Sequence, residues 1–286
     1  MAEKKSSVTK AISILKSFTP SNCELGVSEI ARLVGFPKST IHRLLVTLTE
    51  AGLLEQSRVL GKYKVGPDLY ILGSQYLKST DILKAAEPVV KKLNDITEEA
   101  VIVGIVKSVD MTVIMKEEAK HALRYTNPVG TSVLAHASAT GKALLSELTE
   151  EEIDKRFPSE NLRQVTARTI STKTELKKDL ENIRKTGVSI DIEGTALGVV
   201  GIASVIREPN GKAAAAISIP TPLVRLDPSK IEKMGRLVKL GASLISYRMG
   251  YQDSDTLIHN VDELREWWEQ NKENSRVLER ALSGEK

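Results

Sequence analysis

Lys38, Ser39, Thr40, His42, Arg43 and Thr47 gather two cations, an imidazole and three hydroxyls within one short segment. Hydroxyl, imidazole and guanidinium donors read base edges, and cations neutralise phosphates. That chemistry needs a rigid element narrow enough for the DNA major groove, and an α-helix fits it. The segment supplies one, because Ile41, Leu44, Leu45 and Leu48 recur at helical spacing and leave the polar set mainly on the other face. Arg58, Lys62 and Lys64 follow, on or beside a turn at 57–62 between two short runs at 53–56 and 63–65. A basic hairpin placed there touches phosphate backbone or minor groove.

The flanking sequence predicts what must hold this helix. Val8, Ala11, Ile12, Leu15 and Phe18 predict a first helix that ends before Pro20. Ser28 is placed to cap a second helix, with Ile30, Ala31 and Leu33 facing inward. Gly35 makes the turn, since a positive φ costs it little. Pro37 suits the first turn of the next helix, where its missing N–H would be unpaired anyway. Helix, turn, helix and basic hairpin in that order are a winged helix-turn-helix. DNA contact is therefore assigned to Lys38, Ser39, Thr40, His42, Arg43, Thr47, Arg58, Lys62 and Lys64. His42 has no second metal-ligand type beside it, so no metal site is assigned.

The chain has 286 residues, enough for two cores, with 41% hydrophobic and 27% charged residues. Its apolar runs, such as 213–219, fall short of the ~18–20 residues of a membrane span. Residues 1–10 lack the apolar core of a signal peptide. The single cysteine, Cys23, excludes an internal disulfide and a cysteine-based zinc site. These features point to the cytoplasm. The net charge of +4 is uneven: residues 1–67 carry 10 Lys/Arg against 5 Asp/Glu, residues 251–286 carry 5 against 9. A basic head suits a phosphate surface, because each neutralised phosphate releases counterions.

Gly66-Pro67 closes the hairpin, and four segments follow from the patterning: a DNA-binding domain at 1–67, a linker helix at 68–80, an effector-type domain at 81–250 and a helical extension at 251–286. Residues 81–97 form an amphipathic helix in which Pro88 marks a kink or a new segment. Strands are predicted at 100–107, 112–116 and 123–125, then a loop from Leu134 into a helix ending near Leu145. The Ser/Thr/Gly-rich approach to that helix offers unpaired N–H groups to an anion. Helices at 150–157 and 173–186, strands at 188–191, 198–206 and 213–219, and a long helix at 228–249 complete an α+β domain with an antiparallel sheet.

The stretch 35–45 (GFPKSTIHRLL), together with 135–143 (AHASATGKA), 187–193 (GVSIDIE) and 215–219 (AAISI), resembles the IclR family of transcriptional regulators over roughly residues 7–250. The resemblance implies a winged-helix domain, a linker helix and a GAF-like effector domain. It implies a homodimer or dimer of dimers on palindromic double-stranded operators, more often as repressor than activator of a catabolic or related operon. Its effector would be a small organic acid or an aromatic compound. The resemblance places the pocket at Ser138-Ala139-Thr140, at Asp191 and at the strand through Ser218; Leu123, His136 and Gly201 complete the candidate effector set. Two positions depart from the pattern. Gly201 stands where family members commonly carry a cysteine, and Pro220 where they carry a second serine. A small carboxylate held by paired serines is thereby disfavoured against a larger or less polar ligand.

Two other classes fit the sequence less well. Enzymatic chemistry lacks a nucleophile–base pair, since His121, His136 and His259 are scattered and Cys23 lies in the head. Glycines 194, 198 and 201 do not spell a dinucleotide fingerprint, so neither catalytic residues nor a cofactor are assigned. An architectural DNA-binding protein without a sensor would leave most of the chain superfluous. In the extension, Val261, Leu264, Trp268 and Trp267 form a helical stripe that either packs on the sensor or a neighbouring subunit, or binds a partner.

Overall fold

The computed structural model describes residues 6–19, 22–57, 61–72, 81–251 and 259–271. Contacts divide the chain into two compact units, Met1–Thr80 and Asp81–Lys286.

The first unit contains α1 (Ser7–Leu15), β1 (Glu24–Leu25), α2 (Val27–Val34), α3 (Lys38–Glu50), β2 (Leu54–Gln56) and β3 (Tyr63–Val65), followed by α4, described over residues 67–72. Ile14, Ile30, Ile41, Leu45 and Leu54 are fully buried or nearly so and hold the three helices to the hairpin. β3 pairs with β2 and also with β1, so the wing is a three-stranded sheet. β1 is only two residues long, too short for periodicity to reveal. Ser28 is not the cap expected of it. Gly26 occupies that position, and its N–H donates to Glu29 Oε2 at 2.7 Å. Gly35 ends α2 with φ 73°, the left-handed conformation that a turn into α3 requires.

The second unit is a six-stranded antiparallel sheet in the order β6-β5-β4-β9-β8-β7. Its strands are β4 (Val101–Lys107), β5 (Asp110–Glu117), β6 (Ser132–Leu134), β7 (Ser189–Ile192), β8 (Val199–Arg207) and β9 (Ala213–Pro222). On one face lie α5 (Asp81–Thr97), α9 (Pro228–Arg248) and α10 (Val261–Gln270), packed on Val101, Val103, Ile202, Ile217 and Ile219. On the other lie α6 (Ala139–Leu145), α7 (Glu150–Arg156) and α8 (Lys173–Thr186), packed on Ile102, Met111, Val113, Ala203 and Ala216. The central strand β9 is covered on both faces, which is why residues 213–219 read as an apolar run interrupted only by Ser218.

One expectation fails here, and one of the two alternatives for Pro88 is excluded. Residues 123–125 are not a strand but part of a loop between β5 and β6, whereas the third strand of the hairpin is Ser132–Leu134. Thr112 to Ser132 is the pairing that decides this, and its partner residues are 20 positions apart, beyond any local signal. Pro88 does not begin a new segment, because α5 runs through it as one helix. Leu264 of α10 is fully buried, with Val261, Trp267 and Trp268 half-buried against the same core. Asp262 meets Lys92 of α5 at 2.6 Å, and Lys233 of α9 lies 3.9 Å above the Trp268 ring.

Candidate functional site

The exposed side of α3 is built by its opposite side. Burial of Ile41, Leu45 and Leu48 turns Lys38, Ser39, His42, Arg43 and Thr47 to solvent, with Thr40 half-buried. Among the described residues no ion pair engages Lys38 or Arg43. The wing cations differ. Lys64 pairs with Glu55 across the hairpin at 3.0 Å, and Lys62 lies 3.7 Å from Glu29. Glu55 raises the Lys64 pKa by hydrogen bond and charge. These exposed pairs are weak enough to exchange a carboxylate for a phosphate. Arg58 lies outside the described residues.

In the second unit the sheet register brings distant residues into rows. Asp191 pairs with Gly201, and Gly201 with Pro220, so the two departures from the family pattern stand beside the acid in one row. The next row joins Ser189, Ala203, Ser218 and Ile102. Alternation along the strands turns both rows toward α6. The start of α6 presses on Gly201: a Cβ there would sit 3.0 Å from the Ala139 Cβ and 4.0 Å from the Asp191 Cβ. Glycine lets the helix and the sheet approach this closely. Ser138 caps α6, its Oγ accepting the Gly141 N–H at 3.0 Å, and Ser138, Ala139, Thr140 and Ser218 are all buried. One of the N–H groups proposed for an anion is thus already taken.

Asp191 is more heavily engaged than its sequence suggested. Its carboxylate lies 3.4 Å from Lys142 Nζ and accepts the Gly194 N–H at 3.0 Å. Lys142, buried on α6, also meets Asp179 at 2.8 Å and donates to the Ile190 carbonyl at 3.2 Å. Burial pushes the Asp191 pKa up, against the opposing pull of Lys142 and the turn amides. The turn itself is tied down from a second loop. Thr166 Oγ1 donates to the Glu193 carbonyl and Thr169 Oγ1 to the Gly194 carbonyl, each at 2.7 Å.

The remaining candidates separate. His136 is buried away from the Asp191 row, its ring edge-on to Phe157 at 5.7 Å, and its Nε2 meets the Arg163 carbonyl at 2.9 Å. Since a carbonyl only accepts, Nε2 carries the proton. Burial holds this imidazole below its usual range, and Lys142 adds in the same direction. Leu123 is 61% exposed, and its carbonyl accepts from Arg225, which in turn makes a double ion pair with the buried Glu99 at 2.6 Å.

Sequence reasoning missed Lys142 and Tyr125. The Tyr125 hydroxyl accepts from Asn127 Nδ2 at 2.7 Å and bonds the Thr195 side chain. Burial raises the Tyr125 pKa, and the nearby Asp191 charge adds to it. Only the charge type of Lys142, in an otherwise uncharged helix, signalled it. Among the described residues no group of three or more His, Cys, Asp or Glu is arranged to hold a metal ion, and no helix is long and apolar enough to cross a membrane.

Comparison with known proteins covers both units. A family model described as the IclR helix-turn-helix domain matches residues 7–58, and one described as the bacterial transcriptional regulator IclR C-terminal matches 74–247. Over 246 residues the chain is 31% identical to the transcriptional repressor IclR of Escherichia coli, covering 85% of this chain and 90% of that one. It is 32% identical to the acetate operon repressor of Salmonella typhimurium, with the same coverage. A solved IclR homologue from Microbacterium hydrocarbonoxydans, complexed with 4-hydroxybenzoate, superposes with a TM-score of 0.74 at 22% identity, covering 85% of this chain and 99% of that one. At that identity the likeness is one of fold.

Proposed function

The chain belongs to the IclR family of transcriptional regulators, and on that premise we propose that it is a ligand-responsive, sequence-specific repressor of a catabolic operon, acting in the cytoplasm. The observation that carries the DNA half is α3, whose exposed face presents Lys38, Ser39, His42 and Arg43 while the opposite face is sealed into the core. A groove-reading helix gains its second half-site from a two-fold partner, so the working unit is a homodimer or dimer of dimers on a palindromic operator.

The effector half rests on the row Asp191–Gly201–Pro220 beneath the start of α6, flanked by Tyr125. Ser138, Ala139, Thr140 and Ser218 complete its walls, Leu123 lies at the outer loop, and His136 acts indirectly by holding the Arg163 loop. Pro220 offers neither hydroxyl nor N–H, and Asp191 is already paired, so few polar groups remain to hold a bare small carboxylate. An aromatic or larger organic acid suits this surface better, and the Microbacterium homologue carries one on the same fold. Effector binding shifts the population between two arrangements of the paired heads, by as much as its affinity for them differs.

A thermal-shift screen of small acids and aromatics, followed by operator titration with each hit, tests this reading. A hit that raises Tm and lowers operator affinity supports it. DNA binding indifferent both to sequence and to every stabilising compound would leave the architectural reading instead.

A further inference from the structure

The exposed side of α3 is polar with one exception. At about 100° per residue, the side opposite the buried stripe Ile41–Leu45–Leu48 carries Ser39, Arg43, Val46 and, at the end of the helix, Glu50. Val46 is 39% exposed and stands outside the apolar cluster that forms the core of the first unit, so this valine contributes nothing to that core. Its neighbours on the same side, His42 and Thr47, are exposed too. Hydroxyls and cations in such a row meet phosphates and polar base edges. A valine meets neither.

The major groove offers one apolar group to a side chain, the C5-methyl of thymine. We infer that Val46 is a specificity-determining residue that packs against a thymine methyl in each operator half-site, about one helical turn beyond the contacts of His42 and Arg43 and two turns beyond that of Ser39. The inference rests on α3 being the groove-reading helix. The cations fix the position of the helix on the duplex and carry no base information by themselves. Val46 instead separates thymine from cytosine, whose edge at that place has no methyl.

The test replaces each thymine in turn by deoxyuridine, which removes the methyl and nothing else. Sites are first selected from a random duplex pool with the full-length protein, then titrated with wild type, Val46→Ala and Val46→Ile. At one thymine per half-site, deoxyuridine weakens wild-type binding by about fourfold, the value of one buried methyl-sized group. At that position alone Val46→Ala is indifferent to the methyl, while Val46→Ile keeps the discrimination. Val46 is exposed, so neither variant disturbs the fold. A wild type that discriminates at no thymine, or a Val46→Ala protein with an unchanged deoxyuridine profile, overturns the inference, as does a change in oligomeric mass with that profile intact. Failure of the wild type to enrich any sequence would take down the DNA-reading assignment of α3 itself.

Discussion

Lys142 Nζ lies 3.4 Å from the Asp191 carboxylate, and both side chains are buried between α6 and the sheet. An isolated charge in such a place is expensive, so each group depends on the other. Lys142→Met is expected to destabilise the second unit by about 3 kcal/mol, because it strands Asp191 and loosens Asp179. The double variant Lys142→Met with Asp191→Asn should lose less than the two single variants added together. Urea denaturation of the four proteins measures the coupling, and strict additivity would rule the pairing out.

His136 sets a pH dependence of the opposite kind from a surface histidine. Its folded pKa is depressed by burial, so unfolding takes up a proton below the ordinary value of about 6.5. The stability it contributes is complete above about pH 6.5 and is lost as pH falls through the folded value. Denaturation midpoints should therefore drop between pH 7 and pH 5, and His136→Gln should shrink the drop. An unchanged difference in the variant would remove His136 as its source.

Arg43 stands at the centre of the exposed side of α3 with no ion pair among the described residues. Arg43→Ala is expected to weaken operator binding by about 10- to 100-fold, the range for one good side-chain–base pair. Lys64, already paired with Glu55, should matter less. Asp191→Ala should change the response to effector and leave ligand-free operator affinity within a few-fold. Equal losses of that basal affinity for Arg43→Ala and Asp191→Ala would undo the division of labour between the units.

Two glycines of the α6 region differ in what surrounds them. A Cβ on Gly141 would lie 2.2 Å from the Ala135 carbonyl oxygen, whereas one on Gly201 would lie 3.0 Å from the Ala139 Cβ and no nearer than 3.8 Å to the next two atoms around it. The first overlap is too deep to relieve without moving the chain, while the second asks α6 to give by only a few tenths of an ångström. Gly141→Ala should therefore cost about 3 kcal/mol or more and Gly201→Ala about 1 kcal/mol, by thermal unfolding. The reverse order would mean that α6 is not seated as described.

The helix α10 lies beyond both family-model matches, yet Leu264 is completely buried in the core of the second unit. Leu264→Ala should cost about 2–4 kcal/mol of the second unit's stability if α10 stays docked. A loss below roughly 0.5 kcal/mol, the range of surface substitutions, would place α10 outside the cooperative unit.

What the amino-acid sequence determined by itself was local. Helical spacing of Ile41, Leu45 and Leu48, the Gly35 turn and the hairpin around Gly61 depend on residues a few positions apart, and backbone preference with side-chain periodicity decides them. The same logic marked α8, α9 and the strands β7 to β9. Only tertiary structure decided the rest. β1 exists because β3 offers it a free edge, and β6 because Ser132 reaches Thr112. Lys142 meets Asp191 across 49 positions, and Tyr125 approaches the same acid from another loop. Those partners carry no mutual spacing to read, since their proximity comes from sheet register and from a helix seated on glycine. The chemistry of the α3 surface is therefore written along the chain, and that of the Asp191 row only across it.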